Sequence, residues 1–200
     1  MKKFTILLAL LATVVWAGEQ AFEYIGTSKC KMCHKGDKKG NMFEIWEASS
    51  HAKAFETLKS DHSAEIAKKL GLKVPAYQAP ECLGCHTTGF GKGGYAVKDD
   101  KFWNPAEDDK DGKKAVKLME NLQHVGCESC HGPGSEYKSK KIMQAIFDGT
   151  SKGAEVGLAD PNEQLCIQCH NEKSPTFDKE AGFKFAEQVK LIAHPVPAKK

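Results

Sequence analysis

Hydrophobic side chains recur at three- and four-residue intervals in several short segments of this chain, which is the spacing of one face of an α-helix. In the first segment Phe43, Trp46, His51, Phe55 and Leu58 roughly share a stripe, so His51 is expected to face inward. The pattern predicts helices over residues 41–59, 63–70, 113–123 and 179–193, and a helical stretch between residues 137 and 147. It predicts loops over residues 87–112, 148–159 and 173–175.

Polar residues mark the ends of two of these elements. Asp61 is the predicted N-cap of the second helix, and Gly71 ends it. A further helix is predicted to begin at Asp160 as N-cap, with Pro161 at its first position, which suits a residue that lacks a backbone N–H. The sequence therefore describes short helices joined by long loops.

A five-residue pattern, Cys-x-x-Cys-His, occurs four times and is the attachment signal of a c-type haem. In this chemistry two thiols add to the two vinyl groups of the macrocycle, and the adjacent histidine becomes the proximal iron ligand. The predicted attachment residues are Cys30, Cys33, Cys82, Cys85, Cys127, Cys130, Cys166 and Cys169, and the predicted proximal ligands are His34, His86, His131 and His170. The sequence therefore predicts four covalent haem c groups.

Two other uses of paired cysteines fit the sequence less well. Four cysteine pairs could build two all-cysteine zinc sites, but such a site has no use for a histidine directly after each pair. A disulfide framework is also disfavoured, because four short loops would constrain little of the chain. All eight cysteines lie in the motifs, as the haem interpretation requires.

The N-terminus has the features of a secretory signal. Lys2 and Lys3 precede an apolar run from Phe4 to Trp16, which is too short to span a membrane comfortably, and Ala17 ends a small-x-small cleavage pattern. We therefore predict a signal peptide at residues 1–17, with a retained anchor as the alternative. Residues 18–200 then form a single tetrahaem domain in the periplasm, and the extracellular surface is a second destination to consider.

The mature chain offers about 46 residues per haem, too few for one large apolar core. We expect a mainly α fold of short helices and long loops wrapped around the haems. The formal charge is +3, and removal of Lys2 and Lys3 with the signal leaves about +1. Eight propionates then contribute about −8 and four ferric haem centres about +4, so the oxidised holoprotein is about −3 and nucleic-acid binding gains no support. Membrane association is expected only through partners, and the oligomeric state stays open.

Four histidines lie outside the motifs and are the candidates for distal iron ligands. In order of preference they are His51, His194, His124 and His62. His194 ends the last predicted helix and could instead complement its dipole, and His62 could simply be solvated at a helix start. We expect mostly bis-histidine, low-potential haems with at most one five-coordinate iron.

Closely spaced haems predict an electron carrier between a donor and an acceptor redox protein. No paired carboxylates, nucleotide loop or activated nucleophile stands out elsewhere. Two alternatives remain at this point: a small-molecule reductase, for example of nitric oxide, at a five-coordinate haem, and a subunit of an extracellular haem filament or conduit.

The segments KCKMCH, SSHAKAFETL, ECLGCHTTGFGKGGY, VGCESCHGPG, CIQCHN and FKFAEQVKLIAH, in this order, resemble the tetrahaem cytochrome c-554 family. The resemblance implies a helical fold around stacked and angled haem pairs and periplasmic electron transfer, from hydroxylamine oxidoreductase in ammonia oxidisers. It implies that His51 and His194 are distal ligands and that the haem on His86 has an open sixth position. Family members carry a distal histidine shortly after HGPG, which this chain lacks. For the haem that this histidine would serve, His124 and His62 are the candidate ligands.

Overall fold

The computed structural model describes residues 22–197, and the signal peptide predicted at residues 1–17 lies outside them. The described residues form short helices and turns without a β-strand, as the sequence predicts. The α-helices are α1 Thr27–His34, α2 Met42–Ala48, α3 Ala54–Thr57, α4 Asp61–Lys69, α5 Pro80–His86, α6 Asp100–Trp103, α7 Lys110–Glu120, α8 Cys127–His131, α9 Lys140–Asp148, α10 Glu163–Cys166 and α11 Phe185–Gln188. Short 3-10 turns lie at Asp37–Lys39, Ser50–Lys53, Ala76–Gln78, Gly153–Val156 and Val189–Leu191.

The helix predicted over residues 41–59 is not continuous. It breaks at Ser49, which has extended backbone with φ −80° and ψ 163° and whose hydroxyl donates to the Trp46 carbonyl oxygen at 2.6 Å. Serine competes with helical hydrogen bonding in this way because its short side chain reaches the nearby backbone. The 3-10 turn and α3 then leave in a new direction, and this turn contains His51.

Both predicted N-caps are wrong by one or two residues. Ser60, not Asp61, caps α4, because its hydroxyl accepts from the Ser63 N–H. Asn162, not Asp160, caps α10, because its side-chain oxygen accepts from the Leu165 N–H. In each case a neighbouring polar residue takes the cap position, and sequence alone ranks such residues as near equals.

Three other boundaries also differ from the prediction. Helix α7 begins at Lys110, since Asp109 caps it, so the loop predicted over residues 87–112 is shorter and also contains α6. The helix predicted over residues 179–193 is reduced to α11 and the following 3-10 turn. Gly182 lies before it in a positive-φ conformation, φ 64°, which a helix cannot contain.

The buried side chains are concentrated on one side of the molecule, around the second motif. Phe55, Leu58, Leu83, Tyr95 and Leu122 form this core, and Leu83 lies inside the motif with no exposed surface. By contrast α7, α9, α10 and α11 contain no fully buried residue. A chain of this kind needs its cofactors to provide the remaining apolar interior, which is the arrangement expected from its composition.

Candidate haem-binding site

Three of the four motifs form the last turns of a helix, and in each the motif histidine is the final helical residue. These are α1, α5 and α8, which end at His34, His86 and His131. Residues three apart on a helix lie on the same face, so both thiols of a motif point to one side. The fourth motif differs because α10 ends at Cys166 and leaves the rest of that motif in a turn.

Contacts between thiols show which motifs are neighbours. The Cys30 and Cys127 thiols are close enough to shift each other's pKa, and so are the Cys85 and Cys169 thiols; helices α1 and α8 also contact each other. Neither pair is joined by a disulfide. The first motif therefore lies against the third, and the second lies against the fourth.

A third contact joins these two pairs of motifs. Burial raises the pKa of Cys130, and the nearby Cys166 thiol raises it further, so these two side chains are close together. The motifs are thus arranged in the spatial order first, third, fourth, second, which is not their order along the chain.

The proximal histidine of the second motif is held in the tautomer that binds a metal. His86 Nδ1 lies 2.6 Å from the Ala54 carbonyl oxygen, which can only accept, so Nδ1 carries the proton. Its Nε2 lone pair is left for the iron, as in other metal-ligating histidines. His131 Nδ1 lies 3.4 Å from the Ala159 carbonyl oxygen, and His34 Nδ1 lies 3.0 Å from Met42 Sδ.

Two histidines from outside the motifs lie opposite motif histidines. The ring centroids of His51 and His170 are 6.0 Å apart, and those of His131 and His194 are 5.9 Å apart. Two imidazoles on opposite sides of one metal, each with a bond of about 2.0 Å, have ring centroids about 6 Å apart. The spacing of both pairs therefore fits two axial ligands with one iron between them.

Burial lowers the pKa of all four of these histidines, which favours the neutral imidazole that metals bind. His194 Nδ1 is also buried without a hydrogen-bond partner among the described residues. Buried polar atoms of this kind need an explanation, and a group bound at this site would supply one. The residues present therefore fit a bis-histidine haem at each pair.

The remaining two candidates are placed differently. His124 Nε2 lies 2.8 Å from the Thr27 hydroxyl at the start of α1, and its ring meets Trp46 edge-on at 4.9 Å. Burial lowers the pKa of His124 to about 4. His62 lies on the exposed start of α4, away from the motifs' contacts given above. The structure thus brings His51, His194 and His124 to the motifs and leaves His62 at the surface.

Sequence reasoning missed a buried carboxylate inside the third motif. Glu128 is 3% exposed and accepts from three backbone N–H groups, those of Ile25 at 2.9 Å, Gly26 at 2.7 Å and Gly134 at 2.7 Å. Burial raises its pKa, while these N–H groups act in the opposite direction. Glu128 therefore ties the segment before the first motif to the turn after the third. The only sequence signal is its place between two attachment cysteines.

A second missed residue is Thr88, which is the second residue after the second motif's helix and is 1% exposed. Its hydroxyl donates to the His124 carbonyl oxygen at 2.6 Å and accepts from the Gly126 N–H at 2.9 Å. It thereby fixes the backbone on both sides of residue 125, between a candidate ligand and the third motif. A threonine after a motif gives no sequence signal of this role.

Within residues 22–197, no group of three or more histidine, cysteine or acidic side chains is arranged to hold a bare metal ion. The same residues contain no helix that is long and apolar enough to cross a membrane.

Comparison with known proteins identifies similar chains. The model of the family described as cytochrome c554 and c-prime matches residues 29–132. The chain is 32% identical to cytochrome c-554 of Nitrosomonas europaea over 202 residues, which covers 88% of this chain and 75% of the relative. The solved structure of the reduced state of cytochrome c554 from Nitrosomonas europaea is similar with a TM-score of 0.56 and 31% identity, and the match covers 85% of this chain and 83% of that chain.

Proposed function

The chain belongs to the cytochrome c-554 family of tetrahaem electron-transfer cytochromes, and we propose that it carries electrons in the periplasm along a row of haems in the order first, third, fourth, second. It carries four covalent haem c groups. Bound haem supplies one-electron chemistry, and the chain's residues provide ligands, burial and spacing.

The observation that carries this proposal is the adjacency of the motifs. Cys30 is near Cys127, Cys130 is near Cys166 and Cys169 is near Cys85, each pair close enough for one thiol to shift the pKa of the other, so every motif has a neighbouring motif. The first and second motifs are at the two ends of this order. An electron entering at one end can reach the other through neighbouring sites, without a long jump through protein.

We assign axial ligands from the ring pairs. His51 is the distal ligand of the haem on His170, and His194 is that of the haem on His131. The 6.0 Å and 5.9 Å centroid distances support these pairs. His124 is assigned to the haem on His34, since it contacts α1, the helix that His34 ends.

The test is replacement of each distal ligand with electron paramagnetic resonance of the oxidised protein. His51→Ala and His194→Ala should each convert one further haem from low spin to high spin, because that iron loses its sixth ligand. His62→Ala is the matched control and should leave the spectrum unchanged. The haem content of every variant is counted by its pyridine complex. A spectrum unchanged in both His51→Ala and His194→Ala would refute the assignment.

We assign an open sixth position to the haem on His86. Among the described residues His86 has no aromatic or imidazole ring contact, whereas His131 and His170 each have one with a candidate distal histidine. The native reduced protein should therefore bind one carbon monoxide per chain, and His51→Ala should bind two. A native protein that binds none would show that all four irons are six-coordinate. The similar proteins favour the carrier over the reductase and filament alternatives.

Export follows from the cofactor and the N-terminus together. The apolar run from Phe4 to Trp16 supports a signal peptide at residues 1–17, and in bacteria c-type haem is attached outside the cytoplasm. The mature protein should then be a single tetrahaem domain that begins at Gly18. Mass spectrometry of the intact protein from the periplasm checks the cleavage site and the four haems in one measurement. A mass that includes residues 1–17 would indicate a retained anchor.

A further inference from the structure

The surface around the first motif is strongly basic. Residues 29–39 contain five lysines and a single acidic residue, Asp37. Four of the lysines are exposed, and the fifth, Lys31, lies over the Phe43 ring at 4.4 Å. The exposed lysines are Lys29, Lys35, Lys38 and Lys39. We call residues 29–39 the lysine surface.

This charge is not neutralised by neighbouring carboxylates. Among residues 22–197, the ion pairs with N···O distances up to 4.0 Å involve other lysines, Lys59, Lys114, Lys152 and Lys179. The two nearby acids are bonded to neutral donors, and their two negative charges leave the five lysines in excess. Asp37 accepts from the Asn41 amide at 2.5 Å, and Glu44 accepts from the Gly36 N–H at 3.1 Å.

An apolar side chain stands within the lysine surface, next to a haem attachment point. Met32 is 76% exposed, and it directly precedes the attachment residue Cys33. The C-terminal segment adds a second apolar residue, since Pro195 packs against Gly40 at the edge of the lysine surface and the adjacent Val196 is 68% exposed. Methionine is enriched at protein interfaces because its side chain adapts to different partners.

The position of the lysine surface in the order of motifs gives it a role. The first motif is at one end of that order, so an electron must enter or leave there. A positive, partly apolar surface beside an attachment cysteine provides steering and a short electron path at the same place. Redox encounters need only a small contact area, and opposite charge raises their association rate.

We propose that the lysine surface is the docking face for an acidic redox protein, which exchanges electrons with the haem on His34. This inference rests on the proposed function and identifies the chemistry of one of its two partners. The oxidised holoprotein has a net charge of about −3 when eight propionates are counted, so the surface is a local positive region on an overall anionic molecule.

The test is stopped-flow reduction of the oxidised holoprotein by reduced flavodoxin, an acidic one-electron donor, at several salt concentrations. The triple variant Lys35→Glu, Lys38→Glu, Lys39→Glu should slow the second-order reaction about 10-fold or more at low salt and lose most of its salt dependence.

The control triple variant carries the same charge change at exposed lysines of α4 and the loop after it, near the second motif. It is Lys68→Glu, Lys69→Glu, Lys73→Glu, and it should react like the native protein. An equal loss in both triple variants would overturn the proposal, since net charge alone would then explain it. A native rate that does not depend on salt would also overturn it.

Reduction by free neutral flavin is measured beside each reaction and separates the proposal from the function. It should be unchanged in every variant, because the haems themselves are intact. A changed flavin rate in the lysine-surface variant alone would mean that these lysines tune the haem instead of docking a protein, and would overturn the proposal. Failure of free flavin to reduce the native protein would refute electron carriage itself.

The apolar centre is tested separately. Met32→Ala should slow the flavodoxin reaction several-fold at high salt, where steering is screened and close contact dominates. Leu70→Ala, at an exposed leucine of similar size that is 54% exposed, is its control. Equal rates for Met32→Ala and the native protein at high salt would exclude Met32 from the contact and overturn this part of the proposal.

Discussion

The contact between Gly40 and Pro195 supports the position of His194, and replacing Gly40 by alanine tests it. Gly40 lies in the left-handed region with φ 79° and ψ 14°, and a Cβ there would overlap the Pro195 carbonyl oxygen. Gly149 has nearly the same backbone, φ 79° and ψ 15°, but a Cβ there meets nothing within 4 Å. The two glycines therefore differ in the contact and hardly at all in conformation.

The expected magnitudes follow from this difference. Alanine in the left-handed region costs about 1 kcal/mol at either site. Gly40→Ala must also move Pro195 by on the order of 1 Å, and such overpacking adds about 1–3 kcal/mol. At this chain length each kcal/mol lowers Tm by about 2–4 °C, so we expect a loss of about 2–4 °C for Gly149→Ala and about 4–16 °C for Gly40→Ala.

The assay combines thermal unfolding of the holoprotein, followed by far-ultraviolet circular dichroism, with electron paramagnetic resonance. His194 is adjacent to Pro195, so Gly40→Ala should also add a high-spin signal from the haem on His131 to the spectrum of the native protein, and Gly149→Ala should not. Equal losses of Tm in the two variants, with no added high-spin signal in either, would show that the C-terminal segment is not held at Gly40.

Three further substitutions test the frame that joins the motifs. Glu128→Gln replaces a charged acceptor of three N–H bonds and should lower the unfolding free energy by about 2–4 kcal/mol. The control Glu136→Gln, at an exposed glutamate, should change it by about zero. A loss below about 1 kcal/mol for Glu128→Gln would contradict the described bonds. Thr88→Val leaves the buried Gly126 N–H without its acceptor and should lower the unfolding free energy by about 1–3 kcal/mol in chemical denaturation. Thr57→Val, at an exposed threonine, is its control, and an equal loss in both variants would refute this reasoning. Trp46→Phe removes the 2.9 Å hydrogen bond from the indole N–H to the Val125 carbonyl oxygen and should lower the unfolding free energy by about 1 kcal/mol in the same assay. An unchanged unfolding free energy would mean that this hydrogen bond adds nothing to stability.

Helix content and the approximate places of the helices could be predicted from hydrophobic spacing, but the break at Ser49 could not. Residues 41–59 keep a helical pattern through the break, and only the packed chain shows that the turn containing His51 leaves in another direction. The two N-cap predictions were wrong for a related reason. Ser60 and Asp61 are both good caps, and small differences in tertiary position decide between them.

In the candidate site, too, some features could be predicted from the sequence and others could not. His51 and His194 were singled out by sequence and by family resemblance, but their partners His170 and His131 were not, because 119 and 63 residues separate the members of the two pairs. Glu128 escaped detection entirely, since its bonds reach residues about a hundred positions away. A hydrophobic or polar pattern along the chain does not indicate such long-range contacts.

The cofactor, its number and its attachment chemistry follow from the sequence alone, because two thiols and a histidine within five residues are a local arrangement. The spatial order of the motifs, the approach of His51 to His170 and of His194 to His131, and the surroundings of the lysine surface come only from the tertiary structure. These features depend on the proximity of segments that are far apart in the chain, such as those of Cys30 and Cys127 or Cys85 and Cys169. They arise only when the loops have closed and the helices have packed.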